Sequence, residues 1–483
     1  MKKIFILLSV LLFAAAPEAV AAWEDSLITI QATRKSYTYT RPWIRRSASS
    51  FKTATVIGKN EFLTTAEGLH DLTMLRLQRY GRGQWFQGKL KWIDYHANIA
   101  VVEAVDDSFL KGLKPVQLGS ADPDKNGWQI IRWKNGNLER RAAEFNQYLI
   151  QEGRLTFIQH LQMEVSSEIS AVGWGEPIIA GDKVIALATG QGGNNIRFIP
   201  VSFFERVLAS RRAGKNGRLG YFPFVWRPVS NPEVFKYLKL PGQPRGAMVM
   251  EIPKVPDVGG LKPRDLILEV DGKAIDNAGY YRDEELGLQI LENLSTRGKL
   301  AGDILKFKVW RNGKAIDVDY KLPAVDYGHK LVPTATYGRD PEYLVVGGLL
   351  FQPLTVPLLK IYGESWQSRA PYQLTSRVDN SPSAKRSGLV VCTMVIPDPF
   401  NLGYQDLRFV VLDKVNGQSI SDLGDIREAL KNPEDGFHNI SFTKGSRVEN
   451  IVLDAAKEPA ATAKILRHYR IPAPTFFDLK AGG

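Results

Sequence analysis

The stretch with the strongest chemical implication is Ala171-Val172-Gly173-Trp174-Gly175-Glu176-Pro177-Ile178, a loop of small residues that runs into an apolar strand. An Ala180-Gly181-Asp182 turn then leads into a second apolar run, Lys183 to Leu187. Glycines in such a loop let backbone amides converge on an oxyanion, the electrostatic half of acyl transfer. The covalent half needs a hydroxyl or thiol, a base within hydrogen-bond reach and a group that orients the base. Between Ala171 and Ile178 there is neither hydroxyl nor thiol. The six histidines, His70, His96, His160, His329, His438 and His468, show no metal-ligand spacing, and no phosphate-cradling or dinucleotide glycine pattern occurs. Neither a metal nor another cofactor is therefore expected. The single cysteine, Cys392, excludes an internal disulfide; within the apolar run Leu389 to Ile396 it reads as a buried, inert thiol.

The loop resembles the GNSGGP segment of HtrA/Deg-type serine proteases, with Gly175, Pro177 and Ile178 matching its end. That register puts Trp174 at the nucleophile position and Glu176 at the second glycine. Two further segments agree in chain order. Phe62-Leu63-Thr64-Thr65-Ala66-Glu67-Gly68-Leu69 is similar to the family's L-T-N-A-H-V-V strand and turn, so Glu67 takes the place of the general-base histidine. Asp94 to Val102 is similar to the segment ending D-I-A-L-I, so Asn98 takes the place of the orienting aspartate. Trp, Glu and Asn cannot supply those roles, and the resemblance implies a protease fold without protease chemistry. The competing enzyme reading is an endopeptidase working through non-standard residues. A substitute set drawn from His70, Asp94 and Ser166, Ser167 or Ser170 would need a shift of about three residues in one strand-turn, which redirects the side chain. Glu67 and Glu176 as a catalytic carboxylate pair compete with the plainer reading of salt-bridged residues.

The elements expected to position these residues are short strands. Thr53 to Thr64 has the pattern of a hairpin, and Met74 to Leu77 and Gly88 to Ile93 alternate as half-buried strands. Val201 to Leu208 has helical spacing, with Ser202 able to cap it. Many strands closed by one helix fit a trypsin-like two-barrel domain over 22–214.

Past a basic linker the pattern changes. Arg218-Leu219-Gly220-Tyr221-Phe222, Gly246 to Ile252, Gly259 to Ile275 and Ile304 to Lys314 resemble, in order, the pieces of a PDZ domain, although Arg264 stands where the motif has glycine. The resemblance implies a PDZ unit over 215–325 that takes a peptide C-terminus as an added strand, with Leu219 to Phe222 as the carboxylate loop and Arg218 attracting the charge. A fold serving only as a spacer is the alternative. After a connector over 326–388, Pro341 to Thr355 looks like the G-F-V-F-x-P-L-T strand of plant-type Deg proteases. Phe409 to Ile420, with a helix at Ser421 to Leu430, reads as a second PDZ-like unit within 389–483. The fold class expected is mainly β: a trypsin-like two-barrel domain followed by two PDZ-like α+β domains.

At its start the chain has the Lys2-Lys3 charge, an apolar run from Ile4 to Ala16 and an Ala19-Val20-Ala21 site, which read as a secretory signal peptide over 1–21 and imply export to a periplasm or the exterior. At 483 residues the chain exceeds one core, and 44% apolar with 24% charged residues suits a folded protein. The net charge of +12 favours anionic partners or surfaces, yet the basic clusters carry no nucleic-acid motif. The function expected is an oligomeric polypeptide-binding pseudoprotease, a trimer or a multiple of one, that captures chain termini or unfolded proteins as chaperone, adaptor or regulator of an active Deg relative, with no nucleic acid and no membrane span.

Overall fold

The computed structural model describes residues 23–123, 127–253, 255, 259–443 and 448–477; the signal peptide read at 1–21 lies outside them. Strands β1 (Leu27–Tyr37), β2 (Arg45–Gly58), β3 (Glu61–Thr64), β4 (Leu72–Arg79), β5 (Phe86–Asp94) and β6 (Ile99–Ala104) close into a barrel in the order β1-β2-β3-β6-β5-β4. Ile28, Ile30, Ala54, Val56, Phe62, Leu77 and Val102 fill it. The turn between β2 and β3 is held from within. Asn60 accepts from the Ala104 amide at 2.8 Å and donates to the Ala104 carbonyl at 3.0 Å, fixing the hairpin to the end of β6.

An eight-stranded sheet follows, spanning Gln117 to Pro200 and including Pro177–Ala180 and Lys183–Gly192, the two strands expected after the loop. Helix α1 (Val201–Arg212) closes this part and buries Phe203, Phe204, Val207 and Leu208. Ser202 does not cap it: Pro200, the last residue of the preceding strand, occupies the cap position, which leaves Ser202 inside the first turn.

In the next unit Val225–Arg227, Ala247–Glu251, Leu266–Val270, Ile304–Arg311 and Lys314–Lys321 form a sheet in that order, with Val225–Arg227 on its edge. The last two strands turn through Asn312 and Gly313, both at positive φ, the backbone that a two-residue hairpin needs. Arg264 has φ +73°, so the motif's glycine and this arginine share a left-handed position that is strained for a side chain. Next to it Asp265 accepts both Nε and Nη2 of Arg311 at 2.6 Å, a bidentate pair across the sheet.

The C-terminal sheet joins Tyr343–Val346 and Leu349–Pro353 to Val390–Val395, Val410–Val415, Phe437–Phe442 and Asn450–Asp454. Part of the segment expected as a connector over 326–388 is therefore continuous with this sheet. Its residues Tyr343 to Val346 and Leu349 to Phe351 are all buried, and Gly347 and Gly348 turn between them at positive φ. The expected helix runs from Leu423 to Ala429, with Asp422 and Asp425 forming a reciprocal capping box. Cys392 is buried, and burial pushes its thiol up to about 12. The described residues are thus mainly β: a closed barrel and an eight-stranded sheet ended by a helix, followed by two further units built on antiparallel sheets.

Candidate functional site

Glu67, Asn98 and Trp174 lie on three separate segments, and the fold brings them together. The Glu67 amide donates to Asn98 Oδ1 at 3.2 Å, and the Ala66 amide to the Asn98 carbonyl at 3.2 Å. Asn98 has φ +50°, a conformation that asparagine tolerates better than most residues. The Trp174 ring lies over Gly68, where an added Cβ would be 3.4 Å from Cζ3, and its carbonyl accepts from the Thr53 amide at 3.1 Å.

Glu176 determines what the loop can do. It is 4% exposed, and its Oε2 accepts from the Gly173 amide at 2.9 Å and the Trp174 amide at 2.8 Å. The next amide back, Val172, donates to Gln191 Oε1 at 3.1 Å. The loop therefore does gather amides on a negative oxygen, but the oxygen is the chain's own. Gly175 (φ +92°) could carry no side chain here, because an added Cβ would be 2.7 Å from the Thr53 carbonyl oxygen.

Beneath the site sits a lysine that sequence reasoning missed. Lys52 is 3% exposed, donates to Thr65 Oγ1 at 2.8 Å and lies 5.3 Å from the centroid of the Trp174 ring. Burial pulls its ammonium down to about 8, with Glu67 and Glu176 opposing the fall. Arg154 pairs with Glu67 Oε1 at 3.0 Å, while Oε2 is buried without a partner. Burial raises the Glu67 carboxyl, against Arg154 and Lys52. No local pattern marks Lys52 or Arg154, since their partners lie at least thirteen residues away in the chain.

The substitute set is not assembled. Arg34 Nη1 contacts His70 Nε2 at 2.6 Å, and burial next to that guanidinium takes His70 down to about 4. Asp94 accepts from the Ala97 amide at 2.9 Å and faces Arg211. Ser166 bonds Asn146, Ser167 bonds the Ala142 carbonyl, and neither they nor Ser170 line the cleft at His70.

The peptide-site residues divide. Tyr221 and Phe222 line a cavity of about 210 Å³ beside the edge strand Val225–Arg227, together with Phe157, Glu292, Ser295 and Lys330. Arg218 points elsewhere: its Nη2 donates to the Val325 carbonyl at 2.6 Å, and its guanidinium faces Asp326. Leu219 is buried in the core of the trypsin-like domain. Gly220 bridges Ala324, with Leu322 where its Cβ would go. Among the described residues that line the cavity the cation is Lys330, whose Nζ lies 5.4 Å from the Phe157 ring centroid. Among the described residues no group of three or more His, Cys, Asp or Glu could hold a metal, and no helix is long and apolar enough to cross a membrane.

The family model "PDZ domain" matches residues 332–477. Protease Do-like 2, chloroplastic, of Arabidopsis thaliana is 23% identical, over 95% of this chain and 76% of its own. Protease Do-like 4, mitochondrial, of the same plant is 24% identical, over 88% and 79%. Among solved structures, HtrA-type protease AlgW with decapeptide superposes with a TM-score of 0.46 at 16% identity, covering 63% of this chain and 96% of that one. Along nearly its whole length, then, the chain is similar to Do-like proteases of the HtrA/Deg type, and it carries a PDZ domain in its C-terminal third.

Proposed function

We propose that the protein is a pseudoprotease that binds polypeptides. The observation carrying this reading is the Glu176 carboxylate seated on the Gly173 and Trp174 amides. An oxyanion hole works because its donors are preorganised and unfilled until charge develops on the substrate. Here a fixed anion already takes them, and the loop from Ala171 to Ile178 contains no serine, threonine or cysteine. Binding then falls to the PDZ units, the first of which offers an edge strand and a cavity at Tyr221 and Phe222. In this proposal the leader read at 1–21 exports the chain, which assembles as a trimer or a multiple of one and serves as chaperone, adaptor or regulator of an active relative.

The test is to incubate the chain with unfolded casein and with a fluorophosphonate serine probe. Neither cleavage nor labelling is expected. Turnover that survives repurification and disappears when Ser166, Ser167 or Ser170 is changed to Ala would establish the endopeptidase reading instead.

A further inference from the structure

A cleft opens at Glu67 and Trp174. It encloses about 680 Å³, a volume suited to a bound ligand. One side comes from the trypsin-like domain, through Arg34 to Thr40, Glu67 to Asp71 and Arg154; the other comes from the connector, through Thr334 to Tyr337, Arg339 and Lys360. Tyr337 fixes the connector in place, its ring 4.2 Å from that of Tyr95 and 5.0 Å from that of His70.

Among the described residues five cations, Arg34, Lys35, Arg154, Arg339 and Lys360, line this cleft against two carboxylates, Glu67 and Asp71. Lys35 is paired with Asp340 outside the lining, and Asp71 accepts from the Gly338 amide at 3.1 Å. Glu67 interacts with Arg154, Arg34 and Lys360, Asp71 also interacts with Arg34, and Arg339 and Lys360 are exposed. Positive charge in a walled cleft focuses the field and recruits anions. The cations are spread over four segments instead of converging on one point, an arrangement for an extended ligand with several charges. Trp174, Tyr37, Tyr39 and Tyr337 add aromatic surface between them.

We propose that this cleft binds an acidic polypeptide segment internally, away from its ends, with carboxylates on Arg34, Arg339 and Lys360. The proposal rests on the polypeptide-binding reading above and names a ligand class for a second site. Selection by charge here is independent of selection by a free C-terminus at the PDZ cavity.

The experiment titrates the full chain, by fluorescence anisotropy at low salt, with acetylated and amidated eight-residue peptides of glutamate, of lysine and of alternating glycine and serine. Blocked ends remove the PDZ cavity from the measurement. The glutamate peptide is expected to bind at least tenfold more tightly than the other two, and to weaken as salt rises. Lys360→Glu with Arg339→Glu, both exposed and outside the core, should weaken it about tenfold with unchanged thermal melting. Equal binding of all three peptides, or an unaltered affinity in the double variant, would overturn the proposal. So would calorimetric binding of citrate or phosphate without peptide binding, which would make this a small-anion site. An apolar peptide with a free C-terminus is the separate control: if it binds while the acidic peptide does not, only the cleft proposal fails.

Discussion

At the scale of single residues, Glu176 and Lys52 place internal charge around the loop at Trp174. Both loop amides bond the same oxygen of Glu176, so the two substitutions that test it should differ. Glu176→Ala leaves two buried donors unsatisfied and should cost about 2 to 3 kcal/mol in chemical denaturation. Glu176→Gln keeps an acceptor oxygen without the charge and should cost about 1 kcal/mol. Equal costs would mean that the amides find water. For the same reason Trp174→Ser alone should stay unlabelled by fluorophosphonate: the hole remains filled, and neither Glu67 nor Asn98 becomes a base with its orienter. Lys52 gives a pH test. Its ammonium falls from 10.5 to about 8 on folding, about 3 kcal/mol of cost to the charged form. A group depressed in the folded state makes the unfolded chain hold more protons between those values, so stability should rise from pH 8 to 10.5. Lys52→Met, similar in length and uncharged, should abolish that rise and leave the protein more stable at pH 7. An identical pH profile in the variant would refute the assignment.

At the scale of elements, the cavity proposed for a peptide lies beside the edge strand Val225–Arg227, between the Tyr221–Phe222 stretch and the Leu291–Ser295 turn, with Lys330 supplied by the connector. Apolar peptides with a free C-terminus should bind the full chain at micromolar affinity, amidated versions at least about tenfold worse, and Lys330→Glu should remove most of that difference, as read by titration. Gly220→Val is no test of this site, because its side chain would strike Leu322 and cost stability first. Some elements were legible in the sequence because they are written in local patterns: the hairpin that closes through Asn312-Gly313 and the spacing of Phe203, Phe204, Val207 and Leu208 each act within a few residues, whereas Pro341 to Thr355 reads as one strand and the Gly347-Gly348 turn divides it in two. That the segments carrying Glu67, Asn98 and Trp174 meet was legible through their flanking strands. What stayed hidden depends on contacts across the chain. Arg218 sits beside a glycine loop in the sequence, yet Asp326 and the Val325 carbonyl, over a hundred residues on, decide where it points. Likewise Glu176 is a mere substitution in the motif until the loop's curvature returns its carboxylate to amides two and three residues back.

At the scale of the whole molecule, the trypsin-like domain and the units after it share interior surface. Leu219, Tyr221 and Val325 are buried in the same cluster as Leu63, Val101 and Phe204. The connector adds an aromatic run: Tyr327 lies 4.3 Å from the His96 ring, the Tyr221 hydroxyl meets His329 Nδ1 at 2.8 Å, and Phe157 packs edge-on to Tyr221 at 5.5 Å. A junction built this way differs from the polar, mobile interfaces common between domains. The first PDZ-like unit cut out at 215–323 would carry Leu219 and Tyr221 into water and lose Val325, so the full chain is the sample on which peptide binding should be measured. The same packing predicts cooperativity. Tyr221→Ala removes a buried ring and should cost about 3 kcal/mol or more. If the core is shared, that loss should lower the unfolding midpoint of both the 23–214 region and the unit after it, seen as one transition by tryptophan fluorescence and by limited proteolysis at the 213–217 linker. Two separated transitions, with only one of them moved by Tyr221→Ala, would show that the units unfold independently and that the contacts at Tyr221 and Val325 contribute little to either.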